Sequence, residues 1–399
     1  KQFREEGQKI IENGDDSYDR LVIDKNDLAT IVFTSGTSGD MKGVMLTHLN
    51  LMSDTIACCK CVRSHDTQIF LPLHHTFPWA SAMFPILVNG GTVHFSSNMR
   101  RIMKDLQTNK PQNLSAVPMM VEMIYNGIWT NAINNKQENK LRFALGLSRF
   151  LMMLGIDKRK QIFKQIHDGF GGNLEYIICG GATLDKKIEK DFYDFGIQVI
   201  VGYGITECSP VVAVNRPNDY RFGSVGKVIP CNKVKIADPD KDGIGEILVS
   251  GTNVMQGYYN DPEATTEAFD GEWFKTGDFG RLDKDGFLYI TGRKKNLIIL
   301  SNGENVSPEG IELKLMRLPY VKEVVVYEEN GEIVGEFYLD EENYSEARTM
   351  LKNDIDYYNH SVQKYRNIAR FKIRDIPFIK TTTMKIKRHL IEHDTKKED

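Results

Sequence analysis

Short apolar segments alternate along this chain with stretches of helical periodicity, and that alternation limits the fold more than any other feature. ATIVFTS (29–35), TQIFLPL (67–73), GTVHFS (91–96), NLSAVP (113–118), LEYIICG (174–180) and IQVIVGYG (197–204) have strand character. Several are apolar without alternation, as strands are when both faces are covered. The stretches 47–63, 76–88, 118–132, 157–168 and 185–195 have the periodicity of helices. Strand–helix alternation of this kind predicts an α/β layered fold on a largely parallel sheet.

The texture changes near Phe222. NKVKIAD, GEILVSG and GFLYITG are short strands separated by Gly, Asp and Pro turns, which predicts a small β-barrel-like subdomain. It changes again after Gly292-Arg293-Lys294-Lys295-Asn296. A helix over 307–317, strands in VKEVVVYE and GEIVGEFYLD, a helical stretch over 344–366 and a last strand in FKIRDIPF describe an α+β unit of ordinary domain size. The expected organisation is therefore an α/β subdomain over 1–221, a β-rich subdomain over 222–294 and a C-terminal α+β domain over 295–399.

Composition narrows the function classes. Hydrophobic residues make up 41% and charged residues 26% of 399, an ordinary globular balance. The net charge of −3 carries no basic field that would ask for nucleic acid. No apolar run approaches the roughly 20 residues that span a bilayer. Six cysteines are few for this length and read as reduced thiols, the usage of the cytoplasm. Cys58 and Cys61 form a C-x-x-C inside a helical stretch. No second pair follows, so they read as small buried helix residues.

The strongest local signal is Thr34-Ser35-Gly36-Thr37-Ser38-Gly39-Asp40-Met41-Lys42-Gly43, expected to follow a strand and precede a helix. Its glycines let the backbone turn N–H groups toward an anion, hydroxyls add donors, and Lys42 adds a point charge. That is the chemistry a polyphosphate requires. It is not a Walker A loop, because Met41 stands at the second glycine of G-x-x-x-x-G-K and Gly43 at its Ser/Thr.

These residues resemble the phosphate loop of the acyl-adenylate-forming superfamily, T-S-G-T-T-G-x-P-K-G, with Met41 in place of its proline. Other motifs of that family follow in order. LPLHHTFP (71–78) is similar to the segment whose histidine, here His75, borders the acyl site. Gly180-Gly181-Ala182 opens a turn that resembles the one passing between adenine and the acyl carboxylate. Tyr203-Gly204-Ile205-Thr206-Glu207 matches Y-G-x-T-E, with an aromatic face for a purine, a hydroxyl for phosphate and a carboxylate for magnesium. Thr276-Gly277-Asp278 matches T-G-D, whose carboxylate accepts the ribose hydroxyls. Arg293 stands where the family has an arginine near ribose and phosphates, and Lys295 at its hinge. The loop around Gly303 resembles the one that lines the thiol tunnel. Ile379 to Ile386 resembles P-K-T-x-x-G-K-I, with Lys385 as the catalytic lysine and Ile379 and Met384 departing from Pro and Gly.

The resemblance runs from about residue 20 to 390 and implies an enzyme using ATP, Mg²⁺ and CoA. A carboxylic acid would be converted to acyl-AMP with pyrophosphate release and then passed to CoA as a thioester. Glu207 would hold the metal with Thr34 beside it, and the C-terminal domain would be mobile, turning about Lys295. The segments 117–128, 201–215 and 300–312 are most similar to long- and medium-chain fatty acyl-CoA synthetases. Trp79, Met83, Phe84, Met119 and Met120 are candidates either for an apolar tunnel or for plain core. Transfer to a carrier protein or an amine, and a nucleotide-binding relative without turnover, are the alternative readings. The expected partners are small molecules, with peripheral membrane contact for acyl supply a further expectation; the sequence does not specify an oligomeric state. The family carries a further portion ahead of this loop, so the chain, which opens at Lys1, is expected to be a fragment.

Overall fold

The computed structural model describes residues 2–35, 41–96, 101–300, 304–381 and 386–391. Among them, seven strands form one sheet, in the spatial order Thr92–Phe95, Asp66–Ile69, Asn113–Ala116, Tyr176–Cys179, Gln198–Gly204, Val211–Val214, Lys227–Val228. The first five run parallel and the last two antiparallel. The parallel strands are short and mostly apolar, as sheets covered by helices on both faces require. Leu114, Ile177, Val199 and Val201 pack against helices Pro118–Asn134 and Lys186–Phe195, with Phe192 and Phe195 completely buried between them. Asp185 caps the second of these helices by accepting from Lys187 N at 2.8 Å, and Gly196 ends it in the left-handed region.

One expectation is corrected. The phosphate-loop motif does not join a strand to a helix. It joins the antiparallel strands Leu28–Ser35 and Met41–Thr47, and the helix His48–Cys61 starts only afterwards. This hairpin stands apart from the seven-stranded sheet and takes Gly257–Tyr258 as its third strand. An apolar run such as 29–35 reports burial and not the partner it pairs with. At the far end of the hairpin, Thr47 and Asn50 form a capping box, Asn50 N to Thr47 Oγ1 at 3.1 Å and Thr47 N to Asn50 Oδ1 at 2.9 Å.

Five strands between Asn232 and Arg293 form an antiparallel sheet. Its inner residues Ile247, Val249, Phe274 and Leu288 share a core with Val32, Val44 and Leu46 of the hairpin. Beyond Ile298 a separate core gathers Val324, Val326, Phe337, Leu351 and Ile355 from the strands Val321–Glu329 and Glu332–Leu339 and the helix Ala347–Ser361. A helix not expected from the sequence, Glu138–Met153, packs Leu145 and Ser148 inward.

Candidate active site

The hairpin, the C-terminal ends of the parallel strands and the antiparallel sheet meet around a cavity of about 970 Å³, near the upper end for small-molecule sites. Thr34 and Lys42 line it from the hairpin, Gly180 and Gly181 from the turn after Tyr176–Cys179, and Tyr203 to Glu207 from the end of the next strand. Arg293, Lys294 and Lys295 enter from the junction with the C-terminal unit, and Thr381 and Lys387 from its last segment. Switch points of this kind at strand ends are where α/β sheets hold ligands. Among the described residues, the lining has six cationic side chains (Lys42, Lys275, Arg293, Lys294, Lys295, Lys387) against three carboxylates (Glu207, Glu246, Glu267). In a chain of net charge −3, that local excess favours an anionic ligand.

The Tyr203–Glu207 segment is tied down from below. Ile205 N donates to Pro210 O at 2.8 Å, closing a tight return. A Cβ added to Gly204 would lie 2.2 Å from Pro210 O, so only glycine fits. Gly181, at φ +97°, also sits where other residues are strained. The stretch 252–259 fastens this segment to the hairpin. Met255 N donates to Glu207 O at 2.8 Å, Gln256 N to Met45 O at 3.1 Å and Tyr259 N to Gly43 O at 2.7 Å. The fully buried Asn253 donates to Asp54 Oδ1, Cys208 O and Val211 O at 2.7–3.0 Å.

Glu207 Oε1 accepts from Tyr258 OH at 3.1 Å, and Lys42 Nζ lies 4.9 Å from the centre of the Tyr258 ring. Tyr258 thus links the lysine of the hairpin to the carboxylate of the strand end. Burial is the main cause that raises the Glu207 carboxyl above its ordinary range; the Tyr258 hydroxyl and Arg293 pull it back in part. Asp278 is 4% exposed and lies behind the lining. Its Oδ2 accepts from Tyr203 OH at 2.7 Å, and its Oδ1 pairs with Arg293 Nε at 3.1 Å. Burial, then the Asp278 charge, pushes the Tyr203 phenol far up, so it remains a donor. Thr276 shapes the turn, donating to Ile247 O at 2.8 Å and accepting from Asp278 N at 3.0 Å. Lys294 pairs with Glu246 at 2.7 Å. The Lys295 ammonium is held below its usual range by burial first and Arg293 second.

His75 lines the cavity, beside Phe77, Pro78, Ala82, Pro85 and Ile86, which give one wall an apolar character. Of the residues considered for an apolar tunnel, none of Trp79, Met83, Phe84, Met119 and Met120 lines it; Met120 is plain core. Ala182 is likewise not among the lining residues. Gly36, Thr37, Ser38, Gly39, Gly303 and Lys385 lie outside the described residues, as does the Ser35 side chain. Cys58 and Cys61 are free thiols on their helix, both lining the cavity.

Several residues carry the site without a signal in the sequence: Tyr258, Glu246, Asn253 and two glutamates of the C-terminal unit. Glu323 pairs with Lys380 at 2.6 Å and accepts from Phe378 N at 2.7 Å. Glu312 binds Arg388 at 2.5 Å and accepts from Val326 N at 2.6 Å. The two hold the ends of the segment in which Lys385 lies.

Magnesium needs one or two carboxylates and completes its octahedron with water and substrate phosphates. Among the described residues no group of three or more His, Cys, Asp or Glu side chains could cage a metal. Glu207, which lines the cavity together with Thr34 and Thr206, therefore fits a magnesium that arrives with a nucleotide.

Known proteins resemble this chain in sequence and fold. A long-chain-fatty-acid–CoA ligase of Mycobacterium bovis is 31% identical over 418 residues, covering 92% of this chain and 67% of the relative. Human long-chain-fatty-acid–CoA ligase 1 is 33% identical over 324 residues, covering 76% of this chain and 46% of the relative. The chain thus spans about two thirds of the first and under half of the second. An O-succinylbenzoate coenzyme A synthetase of Bacillus subtilis, solved with ATP and a magnesium ion, superposes with a TM-score of 0.70 at 25% identity, covering 93% of this chain and 72% of that one. The family model described as AMP-binding enzyme matches residues 2–259, well over half of the sequence, and the chain belongs to that family.

Proposed function

We propose that this chain activates a long- or medium-chain fatty acid with ATP, forming acyl-AMP and pyrophosphate, and then passes the acyl group to CoA. The observation that carries this reading is the convergence on one cavity of Thr34 and Lys42, Thr206 and Glu207, Arg293, and the segment around Lys385, with an apolar wall beside them. A carboxylate and an α-phosphate repel, and cations must screen both before one can attack the other. Lys42, in the cavity lining, would take up charge on the departing pyrophosphate. Lys385, between Thr381 and Lys387 of the lining, is the second screening charge, acting near the reacting oxygens. Glu207 and Thr34 would hold the magnesium, which when bound neutralises phosphate charge. Asp278 would receive the ribose hydroxyls once Arg293 turns from Oδ1 toward the phosphates. Gly180 and Gly181 leave room between adenine and the acyl group, with His75 at the border and the apolar wall for the chain. Transfer to CoA then follows rotation of the C-terminal unit about Lys295, which brings the loop at Gly303 to the site. Positioning and electrostatics supply most of the acceleration, as in phosphoryl transfer generally.

Pyrophosphate release with ATP, Mg²⁺ and straight-chain acids from acetate to palmitate, with and without CoA, tests the reading. Release should be highest with a medium or long chain, rise with CoA and vanish in Lys385→Ala. Release that ignores the acid, or that peaks with acetate, would overturn it.

A further inference from the structure

Tyr258 meets two cavity groups of opposite charge. Its hydroxyl donates to Glu207 Oε1 at 3.1 Å, and Lys42 Nζ lies 4.9 Å from the centre of its ring. The short strand Gly257–Tyr258 brings it there. Tyr258 pairs with Val44 of Met41–Thr47, and Lys42 stands two residues along that strand, on the same face. The backbone is held on its other side as well. Tyr258 N donates to Thr265 Oγ1 at 2.9 Å, and that hydroxyl donates to Asp261 O at 2.8 Å. Gly257 lies close against the same threonine, since a Cβ on it would come 2.7 Å from Thr265 Cγ2. The ring is thus fixed between the hairpin and the helix Pro262–Ala268, where it lines the cavity.

Neither contact uses up the charge it holds. A carboxylate has about four acceptor sites, so one hydrogen bond orients Glu207 and leaves the others to a cation. A cation–π contact at a partly open site is weak, so Lys42 can exchange the ring for a phosphate. Groups that hydrogen-bond a metal ligand set its orientation before the ion arrives. We infer that Tyr258 is a positioning residue, which holds the Glu207 carboxylate ready for magnesium and keeps Lys42 directed into the cavity until a polyphosphate takes it. The inference rests on the reading that Glu207 holds the metal, but its test needs no turnover.

Calorimetric binding of ATP to the full chain, with and without Mg²⁺ and with no acid present, is the test. Tyr258→Phe keeps the ring and removes the hydroxyl. It should lower the affinity for Mg²⁺ in the ATP complex by about 10- to 100-fold, the usual loss when the partner of a metal ligand is removed. Metal-free ATP binding should stay unchanged in this variant. Combined with Glu207→Gln it should add nothing further, because both residues act on one ion. Tyr258→Leu removes the ring too, and should weaken metal-free ATP binding by roughly 2- to 5-fold, the size of a lost cation–π contact. Undiminished Mg²⁺ affinity in Tyr258→Phe, an equal loss with and without the metal, or losses that add to those of Glu207→Gln would overturn the proposal. So would a Tyr258→Leu variant that binds metal-free ATP as the wild type does. Full Mg²⁺ affinity in Glu207→Gln is a separate result: it would remove the metal role of Glu207 and overturn the underlying reading together with the proposal.

Discussion

Burial sets the chemistry of Glu207. The fold favours its protonated form, so its carboxyl ionises at higher pH than an exposed glutamate. Metal binding needs the ionised form, and magnesium-dependent turnover should therefore rise through a pH range above the ordinary glutamate value. The sign is opposite for the apo fold. A raised folded pKa means that stability is fully present below the unfolded value and is lost as pH rises through the folded one. Glu207→Gln should cut pyrophosphate release on the order of 100-fold, as removal of one electrostatic contact typically does. The same variant should lose the acidic limb of the pH–rate profile and gain melting temperature relative to the wild type as pH rises. An unchanged limb would remove Glu207 from the metal site. Residues such as Thr34, Lys42, Glu207 and Arg293 were legible in the sequence because each sits in a motif whose chemistry is local. Tyr258 was not, since a tyrosine in a Gly-Tyr-Tyr turn gives no sign that its hydroxyl reaches Glu207 across 51 positions. Glu312 and Glu323 were equally silent, since they act through Arg388 and Lys380 far along the chain.

At the scale of elements, apolar runs and helical periods predicted most strands and helices but not their partners. The hairpin at the phosphate loop was missed because MKGVMLT resembles the lead-in to a helix, and the capping box at Thr47 starts the helix just after it. The strand Trp273–Leu282 was missed because Thr276-Gly277-Asp278 interrupts its apolar pattern with a turn-like tripeptide. The helix Glu138–Met153 has apolar residues on both faces and so shows no amphipathic period. The stretch 252–259 has no periodicity, yet it joins the strand end to the hairpin. Its anchor is Asn253, whose two amide hydrogens are shared among three buried acceptors. Asn253→Ala should cost on the order of 2 kcal/mol, because Cys208 O loses this buried donor while Asp54 Oδ1 keeps Val211 N and Val211 O keeps Asn232 Nδ2. Urea unfolding checks this, and a loss below 0.5 kcal/mol, the range of ordinary surface substitutions, would mean that the stretch is held elsewhere.

Across the whole molecule, the C-terminal unit presents Thr381 and Lys387 to the cavity, and a two-pronged pair between Arg317 and Asp185 at 2.7 and 3.1 Å spans the two units in this orientation. Arg317 is about half exposed, so the pair contributes little free energy and can open. The proposed rotation needs a pivot, and Lys295 lies in the short 3₁₀ turn Lys294–Asn296 between the two cores. Lys295→Pro should stiffen that turn and spare one half-reaction while stopping the other, as read by acyl-AMP formation and by thioester formation from supplied acyl-AMP. Equal loss in both would place the pivot elsewhere. The layered architecture was readable from sequence because it follows from burial patterns. This orientation was not, because it rests on pairs such as Arg317 with Asp185, 132 positions apart.

The central claim is that the cavity makes an acyl-adenylate. Mass spectrometry of the chain incubated with ATP, Mg²⁺ and palmitate in the absence of CoA tests it directly. The expected result is palmitoyl-AMP in step with pyrophosphate, converted to palmitoyl-CoA and AMP when CoA is added. Bound ATP with no adenylate, or ADP in place of AMP, would contradict it.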